Sequence, residues 1–540
     1  MQNSWLVIIP PLIALSLSFA THRIILSLFL AIISATFIFH DFSIIPAIKT
    51  AGVRLWNTTE ISNLSSWESF LQSENLFIYA FILILGIMIT LISTTGATNA
   101  YANFIQKKLK NRKAAETSSL LLSLMFFIDD YLNVLMVGSV MPPVTDRFKV
   151  PRVKLAFFAN AFAAALCIIV PFSTWGAYIL RQLEHSGVSP DLGSGSLVLT
   201  SPLNLFVNAI PFAFYSFIII AAAFFLVRRN ISFGLMHKYE SIAQETGDLY
   251  GGKPMEKKGL DEHAGNQSNS TIIDFLFPII LLVVAVFVGL YLTNFVAAPS
   301  LFIGGITTLT ISLPYFLIRK KVAINQLSSI AKEGVMLMLS SLVVITLAWT
   351  FGTILTEDLL TGQFLASKLT GSINIMFFPL LFFVISTITT LAIGSSWGSL
   401  GVVIPIAIPM VVASYSGASP YLLGAVPIVI PTLSAVLAGA VTGNVSSPIA
   451  DIVVMASTST RSHHMDHVKS QQMYVAPVFF ASCVSFLMSG LLISYPTYVN
   501  ALVSLGVGIV TAFIIMTVLN SSIPNSPAPK TPPQPDQTRR

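Results

Sequence analysis

Two adjacent carboxylates interrupt an apolar run that extends from about Thr117 to Met141. They are Asp129 and Asp130, and Asn133 follows them. An ionised side chain at membrane depth is costly unless it is paired, hydrated or bound to a cation, so such a pair indicates a functional site. Neighbouring residues on a helix point about 100° apart, so the two acids are not expected to bind one ligand symmetrically. We predict that one carboxylate binds a cation or a proton and the other caps a half-helix, with Asn133 as a neutral oxygen ligand.

The composition places these acids in a membrane protein. Of the 540 residues, 54% are hydrophobic and 10% are charged, whereas a soluble domain usually carries about 25% charged residues. Apolar segments of roughly 20 residues recur, each long enough for a bilayer core of roughly 30 Å. They are continuous rather than alternating, which excludes a β-barrel. The net charge of +6 reflects basic clusters at segment ends, as in cytoplasmic loops, and does not indicate a nucleic-acid partner.

These observations predict an all-α polytopic membrane protein with about 11–13 membrane segments. The segment that contains Asp129 has basic residues on both sides, and its length of about 25 residues is too short for two crossings, which need about 40. We therefore predict a re-entrant hairpin over about 117–142, with the acids near its tip. A span over 153–180 follows, and Pro171 and Gly176 predict a break within it.

The second half of the chain repeats this order. A hairpin is predicted over about 374–413, and a segment over 421–460 is either one broken span or two crossings. The chain is thus divided into an N-terminal membrane half (1–229), a flexible cytoplasmic linker (230–270), a C-terminal membrane half (271–520) and a disordered tail (521–540). The flanking charges give the two halves opposite orientations, and inverted repeats with broken helices and re-entrant hairpins are a recurring plan of secondary transporters.

Small polar residues cluster at the predicted breaks. They are Ser173 and Thr174 in the first half and Asn444, Ser446 and Ser447 in the second. Hydroxyl and amide oxygens beside freed backbone carbonyls suit a hard cation such as sodium. For each single residue, local satisfaction of a helix break is an equal alternative, but two similar breaks together favour an ion site.

Asp451 follows the break in the second half. It is predicted to be a third intramembrane acid, and the alternative is a charge that only stabilises the N-terminus of a half-helix.

Residues Gly394–Gly398 match Gly-x-Ser-x-Gly, the pattern of a serine nucleophile. That pattern requires a strand–turn–helix context and a histidine partner. All eight histidines lie at segment ends or in connections, so no enzyme and no catalytic residue is predicted. Ser395 and Ser396 are instead placed at the tip of the second hairpin as ion- or substrate-binding residues. Trp175 and Trp397 each follow two hydroxyl residues. Each is predicted to pack either over the site or within the core.

A metal site at His463, His464, Asp466 and His467 is the less favoured interpretation, because these residues lie at a predicted cytoplasmic end. No cofactor and no metal beyond the transported cation are predicted.

Several of these stretches resemble the NhaC-type sodium/proton antiporters. The resemblance covers most of the membrane part and is carried by Asp129–Asn133, Val137–Met141, Thr145-Asp146, Arg152–Ala156, Ser173–Tyr178, Gly394–Gly398, Leu437–Val441, Ser447–Asp451 and Asp466–Val468. It implies a multi-pass antiporter of the bacterial inner (cytoplasmic) membrane, within the ion transporter superfamily. It also implies inverted repeats, elevator-like motion and a homodimer.

One stretch departs from the family pattern. Where these antiporters typically read Gly-Asp-His-Cys-Ser-Pro, residues 443–448 read Gly-Asn-Val-Ser-Ser-Pro. The predicted function is exchange of sodium, or another monovalent cation, for protons by alternating access, with Asp129 or Asp130 alternately cation-bound and protonated. The alternative is a sodium-coupled transporter or exchanger of a small organic acid or amino acid, which fewer acids and more neutral polar groups would suit. The expected partners are the lipid bilayer, monovalent cations and protons.

Overall fold

The computed structural model describes residues 4–21, 23–192, 195–254, 270–293, 296–361, 364, 368, 374–415 and 419–521. The predicted tail beyond Ser521 and residues 255–269 of the predicted linker lie outside the described residues.

Helices form most of the described chain, because a helix satisfies its backbone polar groups internally, as an apolar environment requires. In the first half the helices are α1 (Ile9–Thr21), α2 (Ile24–Phe39), α3 (Ile44–Thr59), α4 (Trp67–Leu71), α5 (Glu74–Thr94), α6 (Ala97–Lys108), α7 (Arg112–Met125), α8 (Asp130–Val140), α9 (Pro142–Arg147), α10 (Arg152–Cys167), α11 (Thr174–His185), α12 (Pro202–Ala209), α13 (Phe214–Arg229) and α14 (Gly234–Thr246).

The second half has a similar succession of long and interrupted helices. They are α15 (Ile272–Leu292), α16 (Ala297–Ile318), α17 (Leu327–Thr353, continued by a π-helical turn at Ile354–Asp358), α18 (Phe378–Ile393), α19 (Ser396–Val412), α20 (Val429–Ser446), α21 (Asp451–Ser459), α22 (His464–Leu491) and α23 (Thr497–Ser521). Three two-residue strands, β1 (Val188–Ser189), β2 (Val198–Leu199) and β3 (Tyr421–Leu422), form a parallel sheet that joins connections of the two halves.

Nine helical segments in the described part of the chain are long and apolar enough to cross a membrane, and four shorter apolar helices accompany them. The predicted fold class, an all-α polytopic membrane protein with broken helices, is confirmed. The segment over 421–460 contains one long helix, α20, and the nine-residue helix α21. At 1.5 Å per residue α21 is about 14 Å long, too short for a second crossing.

The interrupted helices form the centre of the protein. All residues of α10 are buried, and the buried share is 94% in α20 but only 22% in the most apolar part of α23. Peripheral helices such as α23 therefore present apolar surface outward, as a lipid-facing helix does, while the helices that carry the predicted breaks lie inside.

The two ends of the helix bundle differ in charge. At one end lie basic residues of α6, α7, α10 and α13, such as Lys107, Arg112 and Arg228; we name it the basic end. At the other end, the acidic end, Glu60, Glu184 and Glu357 lie near the ends of α3, α11 and α17. Basic residues clustered in this way are typical of the cytoplasmic ends of membrane helices.

Part of the expected flexible linker is ordered. Helix α14 packs at the basic end, where the carboxylate of Glu240 contacts Lys154 (2.5 Å) and Arg112 (3.1 Å). Glu116 pairs with the same two basic residues at 2.9 Å. A buried charge needs such partners, and this four-residue cluster explains why residues 234–246 form a packed helix rather than a loose connection.

Candidate functional site

Two breaks in the first half have local causes in the sequence. Helix α7 ends at Met125, and α8 begins after Asp129, whose carboxylate caps it by accepting a hydrogen bond from the Leu132 amide (2.8 Å). Helix α10 ends at Cys167, and α11 begins after Ser173, whose hydroxyl accepts from the Gly176 amide (3.0 Å). Side-chain caps of this kind replace the missing backbone partners of the first helical turn.

Two breaks in the second half are built in a related way. Helix α18 ends at Gly394 in the left-handed conformation (φ 72°), and Ser395 caps α19. Helix α20 ends at Ser446, two residues before Pro448, which has no amide hydrogen to continue the helix. The Ile449 side chain packs against Gly394, so these two breaks lie against each other.

The two breaks of the first half also touch. The Thr174 amide donates to the Ile128 carbonyl (3.0 Å), and the Thr174 hydroxyl donates to Asp129 (3.0 Å). Asp129 thus accepts hydrogen bonds from both breaks and is 3% exposed. Its geometry is that of a carboxylate held to cap one helix and join it to another.

Two further carboxylates meet at this point. Asp130, 2% exposed, lies close enough to Asp129 and Asp451 for charge repulsion, and Trp175 faces it. Asp451 accepts a hydrogen bond from the hydroxyl of Tyr131, which in turn accepts from Ser341 on α17 (3.0 Å). None of the three carboxylates forms an ion pair with Lys or Arg within the described ranges. The chain therefore gathers three negative groups at one point without a basic counter-ion there.

The half-helices α8 and α21 bring their N-termini to this point together. Their starts are joined through Tyr131 and Asp451, and further along Ser459 donates to the Val134 carbonyl (3.3 Å) and packs against Gly138. The two helices therefore run parallel, and both positive dipole ends face the carboxylates.

Asp451 differs from its two neighbours in accessibility. Asp451 is exposed, whereas Asp129 and Asp130 are buried. Val454 and Thr458, on the same face of α21, are also exposed, and α21 ends beside Arg461 at the basic end. A carboxylate facing lipid would be costly, so we expect this exposed strip of α21 to face water.

Asn133 has a divided role in the structure. Its amide nitrogen donates to the carbonyls of Ser123 (2.8 Å) and Phe126 (3.3 Å), which closes the end of α7. Its amide oxygen is buried and has no hydrogen-bond partner among the described residues. The predicted neutral oxygen ligand is thus available, on a side chain that also stabilises the break.

The breaks of the second half form a neutral cluster. Ser447 donates to the Leu391 carbonyl (2.9 Å), and Ser396 donates to the Ala440 carbonyl (3.2 Å). The carbonyls of Val445 and Ser446 accept from the side-chain amides of Gln471 (2.7 Å) and Gln472 (2.8 Å) on α22. Most freed backbone groups are thereby satisfied by neutral side chains.

One side chain of this cluster, Asn444, has a polar atom that is not satisfied. It is 3% exposed, and its amide oxygen lacks a partner within the part of the chain that the structure describes.

The structure thus divides the predicted site residues into two groups. It brings Asp129, Asp130, Thr174, Trp175 and Asp451 together, with Asn133 and Ser173 at the same breaks. Ser395, Ser396, Asn444, Ser446 and Ser447 form the neutral cluster, which touches the first group where the rings of Trp175 and Trp397 lie 5.3 Å apart. The Ser173 hydroxyl donates to the Cys167 carbonyl and accepts from the Gly176 amide, so it acts as a structural helix cap.

Sequence reasoning missed Tyr131 and Ser341. Tyr131 directly follows the acid pair, and a hydroxyl at that position was a usable signal. Ser341 lies within an unbroken apolar helix, and nothing in its local sequence marks it.

The comparisons with known proteins agree with a transport function. Residues 195–491 match the model of the Na+/H+ antiporter family. An uncharacterized protein of Haemophilus influenzae (strain KW20 / Rd) is 30% identical over 507 residues, which cover 89% of this chain and 90% of that protein.

Two solved structures show distant likeness. The Alcanivorax borkumensis YdaH transporter has a TM-score of 0.44 at 13% identity, covering 83% of this chain and 90% of that chain. Neisseria gonorrhoeae MtrF, described with a class of antimetabolite efflux pumps, has a TM-score of 0.38 at 14% identity, covering 80% and 82%. At TM-scores below 0.5, neither likeness assigns a fold or a function to this chain. The family model, in contrast, spans more than half of the sequence, and on that ground the chain belongs to the Na+/H+ antiporter family.

Proposed function

We propose that this multi-pass secondary transporter exchanges sodium, or another monovalent cation, for protons, and that Asp130 and Asp451 are the binding groups which both ions share. Family membership supports transport of this class. The observation that carries the proposal is the convergence of three carboxylates on two helix N-termini, without an ion pair to Lys or Arg in the described part of the chain.

The charge balance at this point favours a cation. Each helix N-terminus contributes roughly half a positive charge, so α8 and α21 offset only part of three negative charges. Like charges that share a site disfavour each other's ionised form. A sodium ion or a proton relieves the same repulsion, and the two therefore compete for the same oxygens. This competition is the physical basis of exchange.

The contacts assign different roles to the three acids. Asp129 is a positioning residue, because the Leu132 amide and the Thr174 hydroxyl occupy its oxygens. Asp451 also accepts one hydrogen bond at each oxygen, from the Ile452 amide (2.8 Å) and the Tyr131 hydroxyl, but its side chain is exposed, whereas Asp129 is buried. Asp130 accepts at one oxygen from the Tyr131 amide (3.1 Å). These two acids are therefore the proposed ion ligands, and sodium prefers oxygen ligands. Tyr131 orients Asp451 and is itself held by Ser341. The free amide oxygen of Asn133 supplies a neutral ligand.

Alternating access requires a route from each side of the membrane. The exposed face of α21 connects Asp451 to the basic end, so this conformation is the one open to the cytoplasm. In this proposal the carboxylates become accessible from the acidic end in the other half of the cycle. The location in a bacterial inner membrane and the homodimer stay predictions from the family resemblance.

The test is proton movement in proteoliposomes that contain a pH-sensitive dye. Sodium, lithium or potassium is added to the wild type, to the single variants Asp130→Asn and Asp451→Asn, and to their combination. We expect a cation-dependent pH change in the wild type and none above background in either single variant, since each removes a shared ligand. Asp191→Asn, which removes an exposed carboxylate in a connection, is the matched control and should exchange normally.

Retained exchange in the folded double variant would overturn the assignment of these residues. A wild-type protein that binds sodium but moves no protons would overturn antiport itself.

One observation favours a second candidate, a sodium-coupled carrier of a small organic acid or amino acid. The neutral cluster contains the N-terminus of α19 and the amide oxygen of Asn444, which accepts no hydrogen bond from any described residue. A helix N-terminus attracts a carboxylate. Sodium-dependent uptake of a labelled organic acid without proton exchange would support this candidate over the first.

A further inference from the structure

A cavity of about 690 Å³ opens at the acidic end. Three helices contribute to its lining, with Ser186 at the end of α11, Thr356 in the turn that continues α17, and Pro405 on α19. Glu184 and Glu357 lie at the same cavity. The rise along α11 from Thr174 to Ser186 is about 18 Å, so the cavity is separated from the carboxylates by several helical turns.

The surroundings of the cavity carry an excess of negative charge. Arg181 pairs with both Glu60 and Glu184, each at 2.9 Å. Arg54 pairs with Glu357 at 2.8 Å and with Asp358 at 2.5 Å. Two guanidinium groups thus face four carboxylates, and a cleft with this balance raises the local concentration of cations.

One turn further inward, the same three helices contribute Gln182, Gly352 and Gly401. The amide nitrogen of Gln182 lies 2.6 Å from the position that a Cβ on Gly352 would take, and the Gly401 carbonyl lies 3.4 Å from it. Gly352 leaves the room that the Gln182 side chain fills, whereas a Cβ on Gly401 would meet Ala348 and the Tyr178 hydroxyl. Gln182 is therefore directed into the space between the helices, beneath the floor of the cavity.

Gln182 is completely buried, and neither its amide oxygen nor its amide nitrogen has a hydrogen-bond partner over the described ranges. Burying an amide without partners is unfavourable by about 1–3 kcal/mol. Such a residue needs a reason other than packing, and a passing ion or water would supply its partner.

An aromatic layer closes the space below Gln182. The Tyr178 hydroxyl donates to the Trp397 carbonyl (2.6 Å), and the Tyr178 ring stacks on Trp349 with centroids 5.7 Å apart. Trp397 in turn contacts Trp175, which faces Asp130. This layer separates the cavity from the carboxylates.

We propose that the cavity at the acidic end is the outer entry site for a monovalent cation, that Gln182 is the first group to replace its water ligands, and that Tyr178, Trp349 and Trp397 form the gate between this site and Asp130. The inference rests on the proposed cation transport. It adds a second cation site, an outer route and a gate to the carboxylate site.

The first test is thiol accessibility, which does not depend on proton coupling. In a background with Cys167→Ala and Cys483→Ala, a cationic, membrane-impermeant methanethiosulfonate is applied to the outer face of cells that carry Gln182→Cys. We expect modification that slows as sodium replaces choline at constant ionic strength. Leu183→Cys, equally buried on another face of α11, is the matched control and should stay unmodified. Thr356→Cys, on the cavity wall, is the positive control.

Two results would overturn the proposal. The first is modification of Thr356→Cys without modification of Gln182→Cys, because the cavity would then end above Gln182. The second is modification of Gln182→Cys at a rate independent of sodium, because the route would then not bind the cation.

The second test is transport by Gln182→Leu, which keeps the approximate size of the side chain and removes the amide. We expect the KM for sodium presented at the outer face to rise by about tenfold, the equivalent of about 1.4 kcal/mol, with the maximal rate little changed. Asn204→Leu, an exposed amide on α12, is the control for the substitution. An unchanged outer KM in folded Gln182→Leu contradicts the assignment. If sodium slows the modification of Gln182→Cys but the wild type moves no protons, the inference about the outer site holds and the proposed antiport is wrong.

Discussion

The two pairs of helix breaks are built alike but filled with different chemistry. In the first half, Thr174 joins the α10–α11 break to the α7–α8 break through the Ile128 carbonyl. In the second half, Ser447 joins the α20–α21 break to the α18–α19 break through the Leu391 carbonyl. The first pair carries Asp129 and Asp130. The second carries hydroxyls and the amide of Asn444, and its one acid, Asp451 at the start of α21, lies with the acids of the first pair.

This difference shows that breaking a helix and building a charged site are separable tasks. The second pair satisfies its freed carbonyls with Gln471 and Gln472 and needs no charge to do so. A break can therefore be stabilised without a carboxylate, and Asp130, unlike the capping residue Asp129, is not needed for that task. Near the end of α20 this chain has Asn444 and Val445 rather than charged residues, so the charge is concentrated on one side of the site.

The largest expected effect comes from making the neutral pair charged. In Asn444→Asp, a carboxylate would replace a buried amide whose oxygen has no hydrogen-bond partner among the described residues. An uncompensated buried charge costs about 3 kcal/mol or more. We expect the thermal unfolding midpoint in detergent to fall clearly in choline and to recover in sodium, because the cation supplies the missing counter-charge.

Asn444→Ala is the matched control, since it removes the amide without adding charge. Its midpoint should not depend on sodium. An Asn444→Asp protein as stable in choline as the wild type would show that the second pair already contains a compensating positive charge, and the comparison between the pairs would fail.

A smaller effect is expected when the capping acid of the charged pair is changed. Asp129→Ala removes the cap of α8 and the bond from Thr174, each worth about 1 kcal/mol. We expect the free energy of unfolding to fall by about 2 kcal/mol. Asp129→Asn keeps an acceptor oxygen and should keep most of this stability, together with cation-dependent proton movement.

Exchange that is lost in Asp129→Asn as completely as in Asp130→Asn would make Asp129 a binding group. The separation between capping and binding acids would then be wrong.

Much of this architecture follows from local sequence. Apolar run length predicts the membrane helices, and Gly394, Pro448 and the capping residues Asp129 and Ser173 predict where helices stop and start, because each acts on its own backbone. The acid pair is recognisable from its apolar surroundings alone.

The pairing of distant segments could not be predicted in this way. Tyr131 and Asp451 lie 320 residues apart, and periodicity along one helix does not indicate which other helix it meets. The same holds for Gln182, which looks like an ordinary polar residue near a helix end until Gly352 is placed beside it. Helix α14 was missed because its stabilising partners, Arg112 and Lys154, belong to other helices.

The last expected effect concerns a backbone feature of the neutral pair. Gly394 ends α18 at φ 72° and lies against Ile449 of the facing break. A side chain at a left-handed residue costs about 1 kcal/mol or more, and the added Cβ would also lie 2.7 Å from the Ile449 side chain, which must shift. Gly394→Ala should therefore lower the free energy of unfolding by at least about 1 kcal/mol. Gly424→Ala, with no positive φ and open space around it, should leave stability unchanged. The exchange rate of the folded Gly394→Ala protein sharpens the comparison. A rate far below that of the wild type, at a temperature where both proteins are folded, would show that the neutral breaks take part in the transport motion. They would then not serve only as a fixed support for the charged pair.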